Sequence, residues 1–252
     1  MGLNELDARP SGERDRSARK RYNFEIAALQ GAAEKRGFRW RRPRHTLKGR
    51  QIAREIDRVG LRLQLRKRQA DAGDITLLFA DESEALTHPY LAHAWAKRGA
   101  DLRVPAPGQS KKVAMMGALD WMSRTLIVTT SPTKRSGDFI ALLESLDLLY
   151  GPNPGAPGKP VVIVLDNSPI HLSKATTAAL AARAHWLTVE WLPKYAPELN
   201  DIEPVWRDLK AHHLAHQTFA DAEQLDAAIH NAVTALNVER KSDPLDGLRI
   251  SA

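Results

Sequence analysis

The stretch VVIVLDNSPIH, residues 161–171, contains five consecutive apolar residues followed by a polar turn. Four of the five are β-branched. A short apolar run of this kind is typical of a strand that is buried on both faces of a sheet. Asp166 follows the run directly. Because open α/β sheets carry their sites where strands end, we expect the carboxylate of Asp166 to be held rigidly at a sheet edge.

A second segment, DITLLFADES at residues 74–83, has the same character. It predicts another buried strand, which ends in the acidic residues Asp81 and Glu82. A third short strand, residues 188–192, leads into a helix that starts near Glu203. Three acidic side chains are therefore predicted at equivalent places in the fold.

The helix that carries Glu203 has recognisable start signals. Asn200 or Asp201 can cap it, and Pro204 is tolerated in a first helical turn. Hydrophobic periodicity and breaker residues define the other elements. We predict helices over residues 52–69, 136–150, 172–184 and 221–237, and an antiparallel hairpin over 112–121 and 124–130.

Aspartate and glutamate oxygens are hard ligands suited to Mg²⁺ or Mn²⁺. Carboxylates that converge at one sheet edge repel one another unless a cation is shared between them. Two divalent ions about 3.5–4 Å apart are a common solution in phosphodiester chemistry. Acids at strand ends also serve as caps and salt-bridge partners, so spacing alone leaves that alternative open for each of Asp81, Asp166 and Glu203.

Charge is distributed unevenly along the 252 residues. Residues 1–70 hold 20 Lys and Arg against 8 Asp and Glu, whereas the remainder holds 17 against 22. The basic head is either a solvated tail or a segment that binds a polyanion such as DNA or RNA. Its segment GFRWRRPRHTLK interleaves arginines with aromatic rings, which can contact phosphates and bases. The candidate residues are Arg39, Trp40, Arg41, Arg42 and Arg44.

Several classes of function are disfavoured. The chain has no cysteine, which excludes disulfides and thiolate metal sites. It has no phosphate-binding loop of the G-x-x-x-x-G-K-[ST] type, so we predict no nucleotide cofactor. His212, His213 and His216 lack the glutamate of a zinc hydrolase motif, and we interpret them as a surface cluster. No apolar run approaches the length of a membrane span, and we expect a cytoplasmic, nucleoid-associated bacterial protein.

Five motifs together carry a family resemblance. LLFADES, AWAKRG, VAMMGALDW, VVIVLDNSPIH and WLPKYAPELNDIEPVWRDLK resemble the catalytic domain of IS630-family transposases, relatives of the Tc1/mariner elements. The resemblance runs from about residue 75 to 237, and its last motif is the most specific. It implies an RNase H-like fold, in which a mixed five-stranded sheet carries helices on both faces and its first and fourth strands are neighbours. The catalytic acids of the family fall on Asp81, Asp166 and Glu203.

Two features depart from the family. Its members usually carry two helix-turn-helix units before the catalytic domain, and residues 1–36 do not predict them. We therefore expect an N-terminally truncated chain. The family also usually has proline where Asp201 stands. We divide the chain into a basic N-terminal segment (1–73), a catalytic domain (74–240) and a C-terminal tail (241–252).

The resemblance implies a transposase that cleaves transposon ends and transfers strands into target DNA. It implies Mg²⁺ or Mn²⁺, in two ions, on Asp81, Asp166 and Glu203, and a homodimer that synapses the ends. One alternative is a non-catalytic remnant that binds DNA or pairs with an intact transposase, and another is a general RNase H-like nuclease. Further predicted DNA contacts are Lys97, Arg98, His171, Lys194 and Tyr195. The alternative for His171 is packing or a role in supporting the acids from behind, and the alternative for the others is solvated surface.

Overall fold

A computed structural model describes residues 48–106, 108–152 and 158–242, which all belong to one compact unit, Leu47–Ala252. The predicted DNA contacts Arg39, Trp40, Arg41, Arg42 and Arg44 lie outside these residues, as do residues 243–252 of the predicted tail. None of the described helices is both long and apolar enough to cross a membrane.

The described residues form one five-stranded sheet with the strand order β3-β2-β1-β4-β5. The strands are β1 (Thr76–Leu86), β2 (Lys112–Asp120), β3 (Leu126–Ser131), β4 (Val161–Leu165) and β5 (Leu187–Trp191). The helices are α1 (Ala53–Asp71), α2 (Ser136–Tyr150), α3 (Lys174–Ala182), α4 (Ile202–Asp208) and α5 (Ala222–Ser242). β1, β2 and β3 pair antiparallel, whereas β4 runs parallel to β1 and β5. The predicted mixed sheet, with its first and fourth strands side by side, is confirmed.

The central strand β1 extends beyond its predicted end at Ser83. It continues to Leu86 because β2 supplies antiparallel partners as far as Lys112. β4 pairs with β1 only as far as Phe79. Asp81 therefore lies in the middle of β1, and yet just beyond the point where the neighbouring strand β4 stops pairing.

Helices cover both faces of the sheet, as predicted. Along β1, side chains alternate between the faces: Leu77 and Phe79 pack against α1, α4 and α5, whereas Leu78 and Ala80 pack against α2 and α3. All five residues of β4 are buried, because this strand has a helix layer above and below it. The apolar run at residues 161–165 is thus the strand that is covered by helices on both faces.

α1 belongs to this packed structure although most of its surface is basic. Its buried residues Val59, Leu63 and Ala70 join the core on the face shared with α4 and α5. The compact unit thus includes a helix that the sequence assigns to the segment before residue 74. The functional division at residues 73 and 74 remains a prediction.

Candidate active site

Asp81 projects from β1 on the same alternating face as Leu77 and Phe79, which α4 covers. Burial raises the pKa of Asp81 to about 8, and repulsion from the negative charges of Glu203, Glu82 and Asp166 adds to this effect. The main-chain hydrogen bond from Glu82 acts in the opposite direction. The raised pKa shows that Asp81 is crowded by other acids in a poorly solvated place.

Asp166 follows β4 directly, in a turn that fixes its carboxylate. Oδ1 accepts a hydrogen bond from the main-chain N–H of Ser168 at 2.9 Å and lies 2.9 Å from Nδ1 of His171. Asn167 donates to the carbonyl of Leu192 at 2.6 Å, which ties the end of β4 to the end of β5. Burial alone would raise the pKa of Asp166, but the hydrogen bonds from His171 and Ser168 outweigh it and hold the pKa below its usual value.

Glu203 is the second residue of α4, and this helix starts differently from the prediction. Neither Asn200 nor Asp201 caps it with a side chain. The main-chain N–H of Glu203 bonds to the carbonyl of Asn200 at 3.1 Å, whereas Asp201 forms a salt bridge with Lys67 of α1 at 2.5 Å. The predicted capping role is therefore wrong, because a tertiary ion pair holds Asp201 and the side chain of Asn200 is buried.

The approach of α4 to the sheet depends on a glycine. Gly117 of β2 stands opposite Asp81 in the ladder. A Cβ atom at Gly117 would lie 2.5 Å from the indole ring of Trp206, which is closer than any real contact. The missing side chain makes room for the indole of Trp206 beside β2, so that α4 can place Glu203 in the same cleft as Asp81.

The three acids line one cleft of about 520 Å³. Its opposite wall is the loop after β5, where Lys194 and Tyr195 are exposed. Tyr195 has a left-handed backbone with φ of 62°, a conformation that costs about 1 kcal/mol for a non-glycine residue. The side-chain amide of Gln51 donates to the carbonyl of Tyr195 at 2.6 Å and so helps to hold this loop.

The donor set fits hard divalent cations. Only carboxylates are offered by Asp81, Asp166 and Glu203, and oxygen ligands are what Mg²⁺ and Mn²⁺ prefer. Burial and the neighbouring negative charges both disfavour the ionised form of Asp81, and a bound cation would favour it. The structure therefore brings together the three acids that the sequence singles out, in a chemical environment suited to metal.

Two functional candidates were missed by sequence reasoning. Lys210 lies on a π-helical turn, Leu209–His213, that continues α4, and burial lowers its pKa against the attraction of Glu84 and Glu203. The seven-residue spacing from Glu203, two helical turns, is the signal that could have identified Lys210. Glu82 is the other: it points away from Asp81 and contacts His171, with 3.3 Å between Oε1 and Nε2.

The predicted DNA contacts divide into two groups. Lys97 and Arg98 are exposed on the loop between β1 and β2, and Lys194 and Tyr195 are exposed at the cleft, so all four remain candidates. His171 is only 1% exposed. Its predicted contact with DNA is wrong in this structure, because the ring is enclosed by protein.

The histidine cluster after α4 also differs from its prediction as a surface feature. The side chain of His212 is 59% exposed and lies 2.8 Å from Asp208. The side chain of His213 is only 10% exposed and faces Glu239 of α5 at 3.6 Å. His213 therefore packs between elements, and only His212 and His216 are at the surface.

We expect the stability of the metal-free protein to depend on the charge of Asp81. The pKa of Asp81 is raised on folding, so protonation of Asp81 stabilises the folded protein. This stabilisation is complete below pH 3.8 and is lost as the pH rises through about 8. In EDTA, Asp81→Asn should gain on wild type in Tm as the pH rises from 5 to 9, by ~2–4 °C per kcal/mol of relieved repulsion.

Thermal unfolding followed by circular dichroism measures this difference. Glu144→Gln, which changes an exposed carboxylate on α2, is the matched control and should track wild type at every pH. Parallel Tm curves for wild type and Asp81→Asn across this range would contradict the placement of Asp81 among unneutralised acids.

Comparison with known proteins identifies the family of this chain. Residues 76–226 match the family model described as DDE superfamily endonuclease. The chain is 27% identical over 173 residues to an insertion element IS630 uncharacterized 39 kDa protein from Shigella sonnei. That alignment covers 69% of this chain and 48% of the relative, so the matched region is about half the relative's length.

Solved structures show the same fold. The Mos1 mariner paired-end complex with Mn matches with a TM-score of 0.56 at 17% identity, covering 96% of this chain and 79% of that one. The Mos1 strand transfer complex matches with a TM-score of 0.55 at 17% identity, covering 95% and 80%. The RNase H-like fold and the resemblance to IS630-family transposases are thus confirmed, and the chain belongs to the DDE superfamily of endonucleases.

Proposed function

We propose that this chain carries out the chemical steps of DNA transposition, which are cleavage at transposon ends and strand transfer into target DNA. The observation that carries the proposal is the convergence of Asp81, Asp166 and Glu203, from three separate elements, on one open cleft. The IS630 relative belongs to an insertion element, and the fold is that of Mos1 complexes with transposon ends and Mn. These likenesses support DNA as the substrate.

Two Mg²⁺ or Mn²⁺ ions would be held by the three carboxylates. Asp81 and Asp166 would share one ion, and Glu203 would complete the second site. Such a pair supplies activation of an attacking oxygen and stabilisation of the leaving oxygen. The chain's own contribution is rigidity, because β1, the β4 turn and the first turn of α4 each fix one ligand.

The reaction requires no covalent intermediate with the protein. In the first step a water oxygen bonds to phosphorus, the bond from phosphorus to the 3′ oxygen breaks, and a 3′-hydroxyl is released. In the second step this 3′-hydroxyl attacks a target phosphodiester in line and displaces its 3′ oxygen. The side chain of Asp166 is 46% exposed. A DNA backbone would therefore be able to reach the acids through the open side of the cleft.

DNA would be held by basic side chains at the cleft and on the exposed loop after β1. Lys194 and Tyr195 line its wall, Lys97 and Arg98 extend from the exposed loop after β1, and Lys210 lies beside the acids. Lysine and arginine contacts to phosphates position DNA without reading its sequence. Pairing of two copies to bring two ends together is part of the same proposal.

Asp166→Asn should abolish metal-dependent nicking of supercoiled plasmid in Mg²⁺ or Mn²⁺. Loss of a ligand removes several kcal/mol of transition-state stabilisation, and each 1.4 kcal/mol is a factor of ten, so we expect a fall of ~100-fold or more. Gel electrophoresis of relaxed and supercoiled plasmid measures the rate.

Glu144→Gln should nick at the wild-type rate. Wild-type DNA binding in Asp166→Asn, measured by fluorescence anisotropy, would show that the loss is chemical. Undiminished nicking by Asp166→Asn would contradict the proposal. DNA binding by wild type with no nicking in either metal would instead favour a non-catalytic DNA-binding role.

Lys194→Ala should weaken DNA binding and make it less dependent on salt. Each lost phosphate contact is expected to lower the slope of log K against log salt by about 0.9. Fluorescence anisotropy with a labelled duplex, at salt concentrations from about 50 to about 200 mM, measures this slope.

Lys159→Ala is the matched control for this measurement. Lys159 is an exposed lysine that precedes β4, at the opposite end of that strand from Asp166. Its loss should leave the slope unchanged. Equal slopes for Lys194→Ala and wild type would remove Lys194 from the DNA-binding surface.

A further inference from the structure

A buried imidazole connects Asp166 to a fourth acid. Nδ1 of His171 lies 2.9 Å from Oδ1 of Asp166, and Nε2 lies 3.3 Å from Oε1 of Glu82. The side chain of His171 is 0% exposed and that of Glu82 is 10% exposed. The two carboxylates therefore face different nitrogens of one buried ring.

The sheet explains why Glu82 meets the ring and Asp81 does not. Adjacent residues of β1 point to opposite faces, so Asp81 faces the cleft whereas Glu82 faces the layer of α2. There the ring of Phe139 packs on His171, with 4.4 Å between the ring centroids and an angle of 57° between the planes. Packing by Phe139 and contact with Glu82 leave the imidazole little freedom to rotate.

The contact made by His171 determines which oxygen of Asp166 is available. Oδ1 receives both the Ser168 main-chain N–H and the imidazole. Among the described residues, Oδ2 accepts no hydrogen bond, and the side chain lines the cleft. Asp166 is thus held by one oxygen and presents the other.

The same three side chains come close enough to be considered as metal ligands themselves. However, the two carboxylates contact different ring nitrogens, whose lone pairs point in divergent directions. One ion cannot bridge both contacts, and an ion bound at Nδ1 would displace the hydrogen bond to Asp166. His171 therefore holds Asp166 by a hydrogen bond at Nδ1, whereas Glu82 faces Nε2 at 3.3 Å without a hydrogen bond between Oε1 and Nε2.

We infer that Glu82 and His171 are positioning residues, which fix the carboxylate of Asp166 so that its free oxygen can bind a divalent cation in the cleft. The inference rests on the proposed function, in which Asp166 is a metal ligand. Partners that orient metal ligands typically contribute 10–100-fold to metal affinity, by order of magnitude. Neither Glu82 nor His171 needs to touch DNA for this role.

Two amide substitutions at His171 separate its contact with Asp166 from its contact with Glu82. The amide nitrogen of Asn superposes on Nδ1 of histidine, so His171→Asn keeps a donor towards Asp166. The amide nitrogen of Gln superposes on Nε2, so His171→Gln keeps the contact with Glu82 and loses the one with Asp166. We expect Mn²⁺ affinity to fall ~10-fold or more in His171→Gln and His171→Ala, and by much less in His171→Asn.

Isothermal titration calorimetry with Mn²⁺ alone gives these affinities without DNA or turnover. Asp166→Ala serves as the reference for complete loss of the ligand. His212→Ala is the matched control, since it removes another histidine that contacts an aspartate, 2.8 Å from Asp208 and away from the cleft. It should bind Mn²⁺ like wild type. Circular dichroism confirms that each variant is folded.

Equal affinities in His171→Asn and His171→Gln would overturn the inference, because a packing role does not distinguish the two amides. Unfolding of both variants would overturn it as well, by assigning His171 to core packing. Wild-type Mn²⁺ affinity in His171→Ala with lost affinity in Asp166→Ala would overturn the positioning role alone. Wild-type affinity in Asp166→Ala would instead remove the proposed metal site.

Discussion

Electrostatic repulsion among three carboxylates in one cleft is the constraint on which the site depends. Asp81 is the most crowded of them, and its pKa of about 8 reflects burial and the nearby charges of Glu203, Glu82 and Asp166. A shared divalent cation would convert the repulsion into attraction.

Rigid placement comes from the sheet register and from two close contacts. β4 stops pairing beside Phe79, so Asp81 and the turn that carries Asp166 meet at one place. Gly117 lets Trp206 lie against the sheet, which sets the position of Glu203. On the opposite face, the imidazole of His171 holds Oδ1 of Asp166. Each acid is thus fixed by different physics: strand pairing, helix packing and a buried hydrogen bond.

Much of this could be predicted from sequence, because β-branched runs and breaker residues carry strong local signals. The strands and the three acids follow from such patterns, whereas the sheet order follows only from the family resemblance. The tertiary partners did not. Asp201 reads locally as a cap, but Lys67 of α1 is its partner. The sequence leaves contact with DNA, support of the acids and packing all open for His171, and only the tertiary structure shows that Phe139 and Glu82, distant in the chain, enclose it. β1 extends beyond its apolar run because β2 supplies hydrogen-bond partners.

The central claim is that Asp81, Asp166 and Glu203 together hold divalent cations. Anomalous diffraction from crystals grown with Mn²⁺ tests it most directly, since the scattering identifies the ion and its ligands. We expect anomalous density in the cleft, with oxygens from all three acids within ~2.0–2.2 Å of the bound ions, by analogy with Mg²⁺ coordination. Density confined to His171 and Glu82, or none between the three acids at saturating Mn²⁺, would contradict it.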